Sequence, residues 1–258
     1  MIFRYISILL LCVSSVISWG PQGHEIIATY AQLTGDVDTI NKYTSLLGTS
    51  LANVSNWADE VKEYDDYKWS AILHYVDTPD NLCTYVRDRD CVEEHCVTGA
   101  IRNYTQQLDD VEGIKFTIHF VGDVHQPLHV GFTSDRGGNT IQVKWYKHSH
   151  NLHYVWDTGI ITHRLLDFNN NILDYTKYLI DNIKIDDNNT NYDDWASESV
   201  KLACSNAYTD ETVLGDEYYN QNLPVVEKRL ALAGYRLQNI CIRYLYPLSS
   251  DLKLNLCN

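Results

Sequence analysis

The chain has 258 residues, 45% of them hydrophobic, and sets 34 acidic against 20 basic side chains for a formal net charge of −14. That length and apolar share suit one large domain with a substantial core. The acidic balance argues against a long Lys/Arg groove tracking a phosphate backbone, so a nucleic-acid partner would have to be held by few, concentrated contacts.

At the amino end, Met1-Ile2-Phe3-Arg4 carries one positive charge, residues 6–13 are apolar but short for a bilayer, and Ser18 is a small residue suited to signal-peptidase cleavage. Residues 1–18 are therefore expected to be a secretory signal peptide, with residues 19–258 the mature domain beginning at Trp19. Cleavage removes Arg4 and makes the remainder one charge more negative. No later run reaches the roughly 18 apolar residues of a membrane helix, so no stable membrane association is expected. Cys12 leaves with the signal, and Cys83, Cys91, Cys96, Cys204, Cys241 and Cys257 remain, an even set suited to an oxidising compartment. Acceptor tripeptides at Asn53, Asn103 and Asn188 agree with glycosylation during secretion. Localisation is expected to be extracellular or luminal, and the sequence is silent on oligomeric state.

Downstream, apolar residues recur at three and four over Ile26–Leu33, Ile101–Leu108, Ile114–Val124 and Val225–Leu245, which predicts a mainly α fold. Asp59, in Trp57-Ala58-Asp59, and His74, in Leu73-His74-Tyr75-Val76-Asp77, sit in aromatic-rich stretches. Burying an imidazole and a carboxylate there is unfavourable without a partner, and a cation is one both can share. At about 3.6 residues per turn, His119 and Asp123 share one helix face, and so do His153 and Asp157. Either pair alone reads as an ordinary helix-surface contact. Two pairs with His129 read as a metal site. Pro127 should end the preceding helix at Gln126 and let His129 turn back towards the cluster, whereas His125 points elsewhere and is expected to orient a ligand. Arg136-Gly137-Gly138-Asn139 is a turn signal, and residues 140–145 alternate as a short strand, so a small hairpin or ordered loop is expected. The polar run 186–191 reads as a loop, and no internal repeat is present.

Taken together, Trp19 with His24, Trp57-Ala58-Asp59, His74-Tyr75-Val76-Asp77, the His119–His129 segment, Gly137-Gly138-Asn139 and His153–Asp157 resemble, in order and spacing, the zinc-dependent single-strand nucleases of the S-one/P-one family. The likeness covers essentially the whole mature chain. It implies a single-domain helical bundle of the zinc phospholipase C and S-one/P-one nuclease type, with three Zn2+ ions as cofactors. By this resemblance Asp59, His74, His119 and Asp123 would hold one zinc; His129, His153 and Asp157 a second; and the Trp19 amine and carbonyl, His24 and a bridging Asp123 the third. These are nitrogen and oxygen donors of the kind zinc takes.

The implied activity is hydrolysis of single-stranded DNA and RNA to 5′-phosphate products, with 3′-mononucleotides also as substrates. Metals are required by magnitude as well: a positioned acid or base contributes about 10²–10⁴ in rate, while the most inert phosphate esters need up to ~10²¹. Asp59, Lys62 and Asp123 would be the catalytic residues, Lys62 neutralising transition-state charge. Tyr75 would stack on a base while Asp77, Gly138 and Asn139 bind its edge, which favours an already unstacked strand. The resemblance also implies disulfides Cys83–Cys241 and Cys91–Cys96 and leaves Cys204 and Cys257 open. The alternatives are a zinc-dependent phospholipase C, which shares the trinuclear plan but ends its second zinc motif with glutamate where this chain has Asp157, and a catalytically silent secreted metal-binding protein.

Overall fold

A computed structural model describes residues 19–246, so the expected signal peptide, Cys12 and Cys257 lie outside the described residues. Gly20 and Pro21 open α1 (Pro21–Thr34), proline being suited to a first turn whose N–H groups have no helical partner. Asp36 accepts from Thr39 N to start α2 (Val37–Leu47), which ends at Gly48 with φ +68°. The short helices α3 (Leu51–Val54) and α4 (Trp57–Val61) follow, and then a 3₁₀ segment, Lys68–His74. After α5 (Arg87–Asp90) come α6 (Val97–Tyr104) and α7 (Val111–His125), the latter capped by Asp110 through the Glu112 and Gly113 N–H groups. As Pro127 predicts, α7 stops at His125 with Gln126 as its cap, and a 3₁₀ turn, Pro127–Val130, carries His129.

The expected hairpin is present as β1 (Gln142–Trp145) and antiparallel β2 (His148–Asn151). A third strand that periodicity did not reveal, β3 (Val213–Leu214), adds in parallel to the other edge of β1. From β2 the chain enters α8 (Leu152–Tyr154) and passes through a π turn, Val155–Gly159, into α9 (Ile160–Leu165). Three longer helices complete the bundle: α10 (Ile172–Asn182), α11 (Tyr192–Leu202) and α12 (Asp216–Leu245). Two expected boundaries move. The Ile101–Leu108 pattern ends as helix at Tyr104, with Leu108 buried in the following turn, and α12 begins before Val225, running through Pro224.

Helix α7 is the centre of the molecule. From Phe116 to His125 every side chain is buried, and α1, α4, α6, α11 and α12 all pack on it. A helix apolar nearly all round belongs in a core, so the His and Asp it carries are enclosed. At its carboxyl end, Arg229 of α12 donates to the His125 carbonyl at 2.9 Å, to Glu198 at 2.9 Å and to Ser199 at 2.6 Å. Arg236, stacked 4.7 Å over Trp195, donates to Asp187 and Glu198 and to His125 Nε2 at 3.0 Å. This corrects the expected role of His125: its ring is fixed by Arg236 and the Val121 carbonyl, in the α7–α11–α12 seam, and orients no ligand.

The disulfides need a second correction. Cys91–Cys96 is formed, but Cys83 pairs with Cys204, not Cys241. Cys204 lies on the π turn after α11, 5.9 Å in Cα separation from Cys83, whereas Cys241 is a buried free thiol on the inner face of α12, its carbonyl accepting from Tyr43. Steps along the chain carried no information about which distant cysteine comes within the short reach of an S–S bond.

Candidate metal centre

Six chain segments converge on one buried cluster. Asp59 comes from α4 and His74 from the end of the 3₁₀ segment; His24 comes from α1, His119 and Asp123 from α7, His129 from the turn after it, and His153 and Asp157 from the α8–π junction. All are less than a tenth exposed. His24 reaches α7 because residue 122 is glycine: a Cβ there would stand 2.8 Å from His24 Nδ1. The π turn widens the backbone where Asp157 projects, and Asp157 Oδ2 lies 3.1 Å from His153 Nε2.

Backbone carbonyls set the tautomers. Nδ1 of His74 donates to Ser70 O (3.0 Å), of His119 to Ser55 O (2.8 Å), of His129 to His74 O (2.7 Å) and of His153 to Gly137 O (2.6 Å). Each neutral ring so held presents an unprotonated Nε2 to the interior. None of those four Nε2 atoms has a hydrogen-bond partner, nor do Asp59 Oδ2 and both oxygens of Asp123. Lone pairs therefore face lone pairs: His119 Nε2 is 3.5 Å from both Asp59 and Asp123, and His74 Nε2 is 3.6 Å from Asp59. His24 Nε2 lies 3.4 Å from Asp123. Burial holds His24, His74 and His129 well below the ordinary imidazole range, and drives Asp123 well above the carboxylate range despite the pull of His119. Burial also pushes Asp157 up to about 6.

This donor set fits zinc. Tetrahedral ligands at about 2.0–2.1 Å from the ion stand about 3.3–3.4 Å from each other, close to the separations here, and an ion among them would satisfy the buried lone pairs. Three groupings bring their donor atoms within 4.8 Å of one another: His24, Asp59 and His119; His74, His119 and Asp123; and His129, His153 and Asp157. Trp19 is buried beside them, with Gly20 N donating to Asp157 O at 2.8 Å.

Periodicity had no means of revealing Gln126. Its Nε2 donates to Asp157 Oδ1 at 2.6 Å and its Oε1 accepts from Leu128 N, which ties a metal-compatible carboxylate to the turn carrying His129. Lys62, buried, donates to Asp59 at 2.5 Å. Next to the cluster, Tyr75 and Asp77 line a small cavity with Leu128, Arg136, Gly137 and His153. Burial lifts Asp77 to about 6, against the pull of Arg136. The other two residues expected there stand back from it. Gly138 N donates to Asp135, while the Asn139 amide donates to Arg136 O and accepts from Asn151, closing the turn. Among the described residues no helix is long and apolar enough to cross a membrane.

Residues 19–245 match the S1/P1 nuclease family. Endonuclease 1 of Arabidopsis thaliana is 40% identical, over 92% of this chain and 91% of its own length, and Endonuclease 4 of the same plant is 39% identical over 91% and 92%. Nuclease S1 of Aspergillus oryzae is 32% identical over 85% of this chain and 89% of its own. A match of this extent, to a family whose named relatives are nucleases, on a helical fold that gathers eight metal-compatible His and Asp side chains, from His24 to Asp157, shows that the chain belongs to the S1/P1 nuclease family.

Proposed function

We propose that this protein is a secreted, zinc-dependent nuclease that hydrolyses single-stranded DNA and RNA to 5′-phosphate products and removes phosphate from 3′-mononucleotides. The observation that carries the proposal is the set of buried, inward-facing Nε2 and carboxylate lone pairs without hydrogen-bond partners in a member of a nuclease family. Asp59, His74, His119 and Asp123 would hold one zinc; His129, His153 and Asp157 a second; and His24, Asp123 and the Trp19 amine and carbonyl, once processing frees that amine, a third. Bound zinc supplies Lewis acidity and a nucleophile at neutral pH.

The chain's own residues do the rest. The Ser70, Ser55, His74 and Gly137 carbonyls lock the ligand rings, and Gln126 holds Asp157. Lys62, against Asp59, brings positive charge to where the phosphorane develops its negative charge. The half-buried Tyr75 ring offers a stacking face worth about 1–3 kcal/mol per base, and Asp77 accepts hydrogen bonds from a base edge. A base fills such a cavity only when unstacked, which selects single strands.

Secretion accords with the two disulfides and with the sequons at Asn53, Asn103 and Asn188. The test is incubation of the mature protein with single-stranded DNA, RNA, a 3′-mononucleotide and phosphatidylcholine, with and without chelator, alongside its zinc content. Cleavage of the first three, lost with chelator and restored by zinc, is expected. Chelator-resistant cleavage, or turnover of the lipid alone, would overturn the proposal.

A further inference from the structure

Resting on that reading, we infer that Arg136 and Asp77 together make the base pocket selective for guanine. Arg136 stands at φ +56°, the first of three consecutive left-handed residues with Gly137 at +62° and Gly138 at +81°. A side chain at such a φ is unfavourable, and nothing in the turn itself requires one there. What the conformation achieves is placement: Gly137 O reaches His153, and Arg136 lines the cavity with Tyr75 and Asp77. Arg136 is exposed where it lines the cavity, and among the described residues its side chain makes no hydrogen bond or ion pair, which leaves its guanidinium donors uncommitted. Its charge is felt inside, on Asp77 and Tyr75. Asp135, the other acid nearby, is already engaged by Gly138 N and the Tyr208 hydroxyl.

The cavity wall therefore sets an acceptor-only carboxylate beside a donor-only fork. Guanine matches both at once: N1–H and N2–H donate in parallel to one carboxylate, and O6 and N7 accept in parallel from one guanidinium. Adenine answers with one donor, N6–H, and one adjacent acceptor, N7. Pyrimidines carry no N7 for the fork. Only guanine is bidentate to both residues, and a base that forgoes one bidentate pair is disfavoured about tenfold or more.

The test compares kcat/KM on the four 3′-ribonucleoside monophosphates for the zinc-loaded mature protein and for Arg136→Ala and Arg136→Lys, with calorimetric binding of 5′-GMP and 5′-AMP to the same three proteins. Guanine is expected to exceed adenine about tenfold or more in the unaltered protein, and the ratio to fall towards one in both variants, because lysine keeps the charge but not the fork. A ratio near one in the unaltered protein, or a preference that survives Arg136→Ala, would overturn the inference. Should no nucleotide or single strand be cleaved, the nuclease reading fails, and the binding ratio still decides this one.

Discussion

At the scale of single residues, the spacing of the two His-x-x-x-Asp pairs was legible because side chains four apart in a helix meet wherever the helix lies, and both pairs do meet, at 3.5 and 3.1 Å. Gln126 was not legible, since its role is an interaction with a residue 31 positions away. Replacing it (Gln126→Ala) is expected to lower zinc affinity or turnover about 10–100-fold with little change in melting temperature, measured by competition with a chromophoric chelator. Asp77 carries a pH dependence whose sign follows from its shift. Burial raises it to about 6, so it is ionised at pH 7 and gains a proton as pH falls through 6, losing acceptor capacity for a base edge. Arg136 and Asp135 face it, the first lowering and the second raising that value. KM for a 3′-mononucleotide is therefore expected to rise between pH 7 and 5, and Asp77→Asn to raise KM at pH 7 and flatten the profile.

At the scale of elements, the long apolar helices and the hairpin followed from periodicity, while β3, two residues long and dependent on an edge supplied by β1, had no local signature. The seam between α7, α11 and α12 was equally hidden. There, buried Arg229 joins the His125 carbonyl, Ser199 and Glu198, fixing the end of the helix that carries Asp123. Arg229→Ala leaves buried acceptors unpaired and is expected to destabilise the fold by about 2–4 kcal/mol, read from urea unfolding of the zinc-loaded protein. Disulfide pairing belongs to this scale too. Non-reducing peptide maps are expected to show Cys83 joined to Cys204 and Cys91 to Cys96, with Cys241 protected from alkylation until the protein unfolds.

At the scale of the whole molecule, the chain is strongly acidic, and Lys62 and Arg136 are the described cations against the cluster and its pocket. With Arg136 given to the base, Lys62 is left for the phosphates, and one such contact on a single strand implies a slope of log binding constant against log salt of about −0.7, to be measured with a non-hydrolysable phosphorothioate oligonucleotide; a slope several times steeper would indicate a basic groove elsewhere. By itself the sequence determined the helical class and the family, because residue type, local period and motif order are properties of the chain written in line. Only tertiary structure decided that Asp59, His74 and His129 meet α7, that Cys204 and not Cys241 reaches Cys83, that His125 turns to Arg236, and that Arg136 stands at the pocket. Each of these depends on how separate elements pack, and packing distances are set by the shape of the entire core rather than by any segment's own pattern.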